Sequence, residues 1–239
     1  MSHAVARLRA QRLAASSKPF VTRGSGSTRC ETCRLKLSHC VCALRPAPAV
    51  RAGVCLIMAD IEPLKPSNTG WLIADVVADT FAFGWARTEV DPALLALLND
   101  PQWQPFVVFP AEFADDARVV HEVAHSDGKR PLFILLDGTW DEARKMFRKS
   151  PYLQNLPVLS LQPEQLSRYK LRRAQSEAHL CTAEVGAMCL ALANDSQAAE
   201  ALNAYFEVFT EHYLKAKQQL PVDLADDAHL RLQTATHAV

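Results

Sequence analysis

PLFILLDGTWDEARKMF, residues 131–147, decides the fold class. Residues 132–136 are apolar at every position, and a strand with no polar face belongs in a parallel sheet covered on both sides. Asp137 closes the strand and Gly138 makes the turn. Thr139, with Glu142 three residues later, is a capping box that opens a helix over 140–149. On that helix Trp140, Ala143 and Phe147 share one stripe, while Arg144, Lys145, Arg148 and Lys149 form a basic face. A carboxylate at the end of a buried strand, beside an aromatic ring in the first helical turn, can serve acid–base chemistry next to a stacking platform. An ordinary Asp-Gly turn with Trp140 in the core is the plainer alternative.

The same alternation runs outward in both directions. Strands are expected at 54–59, 81–86, 106–109, 132–136 and 158–161, with helices at about 69–79, 92–99, 140–149, 183–193 and 196–218. Leu202, Phe206, Phe209 and Tyr213 form one stripe of the last helix, which should pack on the sheet or on a partner subunit. The expected fold is α/β, a parallel sheet flanked by helices over 50–218, with 219–239 as a C-terminal tail of no clear periodicity. No apolar run approaches the ~18–20 residues of a bilayer span, so no membrane is expected. GxSxG and P-loop signatures are missing from the sequence, which leaves serine-hydrolase and P-loop nucleotidase readings without support.

The 239 residues hold 26 Lys and Arg against 26 Asp and Glu, so net charge gives no hold on a polyanion. That balance conceals blocks. Residues 1–51 carry 10 basic side chains against one acidic, and residues 52–136 carry 5 against 12. A positive end on an acidic body suits a protein of which one part touches nucleic acid, and a solvated basic tail is the alternative. Residues 1–28, without an acidic side chain or an apolar signal core, read as a flexible basic arm of a cytoplasmic protein, with an organellar transit peptide as the alternative that the same Arg- and Ser-rich composition suits.

Four of the seven cysteines cluster in RCETCRLKLSHCVC as Cys30, Cys33, Cys40 and Cys42. Two short chelating pairs on one loop can surround zinc with four thiolates, and Arg29, Arg34, Lys36 and Arg45 would offset the excess negative charge. The expectation is a small zinc module over 29–46, closed and therefore structural. A redox CxxC fits less well, since this one does not open a helix of a βαβ unit, while an iron–sulfur cluster suits the same four thiolates. His39 beside a complete set reads as a bystander, and Cys55, Cys181 and Cys189 as buried small hydrophobes.

Two further segments carry polar residues at places where α/β sheets bind ligands. In KPSNTGW, 65–71, Ser67, Asn68, Thr69 and Gly70 can cap a helix and offer backbone N–H groups to a carboxylate or phosphate, although the same residues serve any cap. In SRYKLRRAQSEAHLCTAEVGA, 167–187, Arg168, Lys170, Arg172 and Arg173 surround Tyr169, a composition suited to phosphate contact and base stacking. Thr182 and Glu184 then begin a helix, where Glu184 can also simply complement the helix dipole.

CxxC with CxC at 30–42, SNTG at 67–70, DGTW at 137–140, and RYKLR at 168–172 with CTAEV at 181–185 stand in one order across residues 30–190. In these motifs the chain resembles the DTW-domain family, the tRNA-uridine aminocarboxypropyltransferases. It departs from that pattern with Cys181-Thr182 where Ser-Thr is expected, Ala59-Asp60 where His-Pro is common, and Trp71 where Arg is common. The resemblance implies a SPOUT-like fold with a knotted cofactor-binding region. It also implies transfer of the amino-carboxypropyl group of S-adenosyl-L-methionine to a tRNA uridine, with release of methylthioadenosine.

On that reading Asp137 and Trp140 are the catalytic candidates, and Ser67, Asn68, Thr69, Gly70, Thr139, Thr182 and Glu184 hold the cofactor. Arg144, Lys145, Arg168, Tyr169, Lys170 and Arg172 bind RNA. The residues themselves leave open a methyltransferase of similar fold, a zinc-stabilised RNA-binding module without chemistry, and the oligomeric state.

Overall fold

In the computed structural model, which describes residues 2–18, 20, 28–124, 128–162 and 180–237, six strands build one sheet. They are β1 (Gly53–Met58), β2 (Thr80–Gly84), β3 (Trp103–Val108), β4 (Val119–Val120), β5 (Arg130–Asp137) and β6 (Val158–Leu159). Every pairing is parallel, in the order β2-β1-β5-β3-β6-β4. The helices are α1 (Ala4–Ala14), α2 (Gly70–Val76), α3 (Pro92–Asn99), α4 (Trp140–Lys149), α5 (Thr182–Leu192), α6 (Ser196–Gln218) and α7 (Asp227–His237). The α/β architecture with a parallel sheet is thus the one expected. Among the described residues no helix is long and apolar enough to cross a membrane.

The continuous apolar runs are explained by which residue meets which face. Along β1, Val54, Leu56 and Met58 join a cluster with Leu72 and Ile73 of α2, Leu190 of α5 and Leu202 and Tyr205 of α6. Cys55 and Ile57 point the other way, onto Leu94 and Leu97 of α3 and Met146 and Phe147 of α4. β5 divides likewise, Phe133 and Leu135 against Leu132 and Ile134. Strand periodicity of two puts alternate side chains on opposite faces, and helices on both sides bury them. β1 and β5 lie side by side in the middle of the sheet, so their C-terminal loops meet at one edge.

Three elements differ from the expectations. Residues 4–14, read as part of a flexible arm, form a helix with Val5 fully buried. His3 caps it by accepting from the Ala6 N–H at 3.2 Å, and Arg12 bonds Asp60 through two contacts of 2.6 and 2.8 Å. Its Ala, Leu, Arg and Gln content favours helix, and only a narrow stripe is apolar, so composition alone resembled a solvated tail. Residues 227–237, read as tail, form α7, anchored on α6 through buried Leu232 and His229. The two-residue β4, an edge strand, is too short to leave a pattern.

Cysteine turns and sheet share one core. Cys33, Leu35 and Val41 belong to the same apolar cluster as α2 and α6. His212 of α6 accepts or donates at 2.9 Å to His229 of α7, and its other ring nitrogen bonds the His39 carbonyl at 3.0 Å. The His39 ring in turn meets the Leu220 carbonyl at 2.9 Å.

Candidate active site and metal centre

Three loops expected to carry chemistry converge at the C-terminal ends of β1 and β5. Asp137 closes β5 and is buried at 3% exposure. One of its oxygens, Oδ1, accepts from the Thr182 hydroxyl at 2.6 Å, and the other, Oδ2, accepts from Asn68 Nδ2 at 2.7 Å. Asn68 also donates to Glu62 at 3.3 Å, and its Oδ1 accepts from the Trp71 N–H at 3.0 Å, which caps α2. Thr69 Oγ1 accepts from the Ala183 N–H at 3.3 Å, closing a second tie to α5. A Cβ on Gly70 would lie 2.8 Å from Asp137 Oδ2, so only glycine lets this loop approach the carboxylate. Burial pushes the Asp137 carboxyl above its ordinary value, and the bonds from Thr182 and Asn68 oppose that rise.

In front of these groups lies a cleft of about 570 Å³, lined by the ends of β3, β5 and β6, by Pro110, Gly138, Ser160, Leu161 and Leu180, and by Thr182 and Trp140. Its volume and largely apolar walls suit a small-molecule ligand. Trp140, 47% exposed, stacks on Phe109 at 5.5 Å and 8°. Phe109 stacks in turn on Phe147 at 4.4 Å and 11°, and Phe113 meets Trp140 edge-on. Three parallel rings therefore present one open indole at the cleft mouth. Thr182 is the point where the buried carboxylate and the cleft meet, since its hydroxyl proton is given to Asp137 and its side chain lines the cleft.

The expected site residues divide accordingly. Trp140 and Thr182 line the cleft; Asn68, Gly70 and Asp137 stand behind it, and Ser67 is exposed. Thr139 and Glu142 form the expected capping box, with Thr139 N–H to Glu142 Oε2 at 2.8 Å. Glu184 is buried and accepts from the Cys181 N–H at 2.7 Å, the cap of α5. Arg144, Lys145, Arg148 and Lys149 are exposed on α4, with Arg144 paired to Asp141 at 2.7 Å. Arg168, Tyr169, Lys170 and Arg172 lie outside the described residues. Sequence reasoning missed Glu62 with its partner Lys65 and the cleft walls at Phe109–Pro110 and Ser160–Leu161, and it read Arg34 only as a counter-charge to the thiolates. The strand ends at 109 and 161 were the available signal for the walls.

The four clustered cysteines bring their sulfurs within 4.8 Å of one another, with Cys30 to Cys42 at 3.6 Å and Cys33 to Cys40 at 3.7 Å. Tetrahedral zinc at ~2.3 Å from each thiolate separates its ligands by about 3.8 Å, so this arrangement can hold the metal. Against opposing burial, backbone N–H groups of Cys33 and Thr32 and the neighbouring thiols pull Cys30 down to about 6, while burial pushes Cys33 up to about 11. A divalent cation resolves that conflict by stabilising all four thiolates. His39 is the expected bystander, with both ring nitrogens bonded elsewhere. Arg34 and Arg45, expected as counter-charges, send their guanidinium bonds to other groups: Arg45 meets Asp75 at 2.7 Å and Arg34 bonds the 65–68 loop.

Residues 27–214 match the family described as DTW domain. Over 173 residues, 69% of this chain, the sequence is 29% identical to tRNA-uridine aminocarboxypropyltransferase 2 of Drosophila melanogaster. The match spans 66% of that relative's length. No solved structure matches the chain.

Proposed function

The chain belongs to the DTW-domain family, and from that premise we propose that it transfers the 3-amino-3-carboxypropyl group of S-adenosyl-L-methionine to the imino nitrogen of a uridine in tRNA, releasing methylthioadenosine. The observation that carries the reading is the hydrogen-bonded set Asn68, Asp137 and Thr182, drawn together from three separated family motifs, with Thr182 on the wall of a ligand-sized cleft. The similarity to a relative named for this reaction supports it. The SPOUT-like knotted cofactor region belongs to the same proposal.

S-adenosylmethionine supplies an electrophilic γ-carbon made reactive by its sulfonium. The chain's residues must orient that carbon toward the base and remove the proton of the uracil imide, a poor nucleophile until it is lost. Thr182 accepts that proton at Oγ1 while giving its own to Asp137 Oδ1, so the buried carboxyl ends neutral, the form burial favours. Asn68 keeps Asp137 in register, and Thr69 and Gly70 let α5 and the loop approach. Trp140 offers its open face to a nucleobase. The apolar walls shelter the reacting centre, and Arg144 and Lys145, with Arg168, Tyr169, Lys170 and Arg172, bind tRNA phosphates and bases. Zinc on Cys30, Cys33, Cys40 and Cys42 would be structural, since four protein ligands close its coordination.

The coproduct tests the reading. Wild-type chain with unmodified tRNA should release methylthioadenosine, and Asp137→Asn should lower that release by about 100-fold or more, as expected for a lost proton acceptor. S-adenosylhomocysteine as the coproduct would make the chain a methyltransferase, and no coproduct from a chain that binds RNA would make it a binding module.

A further inference from the structure

Arg34 follows the last cysteine of the CxxC, in a turn where its N–H donates to the Cys30 carbonyl at 2.9 Å and the Cys30 N–H donates to the Leu35 carbonyl at 2.8 Å. Its φ of +66° is the left-handed conformation that non-glycine residues rarely adopt. The residue is 4% exposed. Its guanidinium lies 3.8 Å over the Trp71 ring, with Nη1 donating to the Lys65 carbonyl at 2.7 Å and Nη2 to the Asn68 carbonyl at 3.3 Å. Among the described residues Nε is buried without a partner. A guanidinium taken out of water for two backbone carbonyls, one aromatic face and the attraction of Asp75 is a poor way to gain stability, because an apolar side chain of similar volume generally does as well. What a planar fork does, and an apolar chain cannot, is fix the separation and orientation of two carbonyls.

Those carbonyls bracket the turn that carries Asn68. From Asn68 the bonds continue to Asp137 Oδ2 and from Asp137 Oδ1 to Thr182 on the cleft wall. We infer that Arg34 is a positioning residue for transfer: the cysteine turn aims its guanidinium at the 65–68 loop, and the loop thereby holds Asn68, Asp137 and Thr182 in register. The cysteine centre then acts on the cleft through one side chain, some thirty positions before the loop it orders. This inference rests on the roles proposed above for Asp137 and Thr182.

The test uses the full-length chain loaded with metal, as wild type, Arg34→Met and Arg34→Lys. Both variants keep all four cysteines and should retain the wild-type metal content. Amide hydrogen exchange at Asn68 and Trp71, whose N–H groups bond within the loop, should quicken by about tenfold in Arg34→Met, the scale of one lost hydrogen bond. Exchange in β1 and β5 should stay unchanged. Arg34→Lys, with a point charge in place of the fork, should fall between the two. In the transfer assay the acid limb of the rate profile should move to higher pH in Arg34→Met, because loosened bonds to Asp137 no longer oppose the effect of its burial; a loss of stability alone would leave that limb in place. Unchanged exchange at Asn68 and Trp71 in metal-loaded Arg34→Met overturns the inference. Were Arg34→Met to fail to fold, Arg34→Lys with wild-type exchange and an unmoved acid limb would overturn it equally. A wild type without transfer activity would remove the proposed reaction, while the exchange measurement would still decide whether Arg34 orders the loop.

Discussion

Asp137 spends its two oxygens on different neighbours, and that division sets what each substitution should do. Thr182→Val removes the hydroxyl that joins the carboxylate to the cleft and should cost about 10²–10⁴ in turnover, whereas Thr182→Ser, which restores it, should return to within about tenfold of wild type. Equal turnover in the valine and serine variants, measured at saturating cofactor, would exclude proton movement through residue 182. Since burial raises the Asp137 pKa, the rate should fall with acidification at a pH above the ordinary carboxylate range. The turn chemistry of 137–142 was legible because caps and Asp-Gly turns are local. That Asn68 and Thr182 meet at Asp137 was not, because the contacts span 69 and 45 positions and no local pattern encodes them. Arg34 was legible only as charge near thiolates, since the direction of a side chain depends on a left-handed turn the sequence does not announce.

At the scale of elements, α1 is held to the body by a buried polar group with opposing titrations. Burial raises Asp75 to about 6, against the attraction of Arg45 and Arg34, and burial together with Arg45 lowers His3 to about 4; their side chains lie 3.4 Å apart. A raised folded pKa contributes stability present below the unfolded value and lost as pH rises through about 6. A lowered histidine contributes stability present above its unfolded value of 6.5 and lost as pH falls toward about 4. Across pH 4 to 6 the two slopes therefore oppose. Relative to wild type, His3→Ala should gain stability on acidification over that window and Asp75→Asn should lose it, read as urea midpoints against pH; parallel curves for all three chains would refute the coupling. The cysteine turns invite a second measurement at this scale. The chain should carry one zinc, and chelation should loosen the core shared by Cys33, Leu35, Val41 and α6, lowering the melting temperature; an unchanged melting curve after complete removal would separate metal from fold. Helices α1 and α7 escaped the sequence because each buries a narrow stripe, one resting on Val5 and the other on Leu232. The long amphipathic α6 and the capped α4 did not escape it.

For the whole molecule, the parallel sheet was readable from runs such as 132–136, since only a strand covered twice can be apolar throughout. Strand order was not readable, because β5 enters between β1 and β3 through contacts remote in sequence. That insertion is what brings the ends of β1 and β5 together and places the DGTW turn beside the SNTG loop. Which carbon of S-adenosylmethionine reaches the RNA decides the reaction, and two radiolabels distinguish the alternatives. With unmodified tRNA and donor labelled either in the methyl group or in the carboxyl carbon, aminocarboxypropyl transfer predicts carboxyl label in the RNA and no methyl label. Methyl label in the RNA without carboxyl label would contradict it.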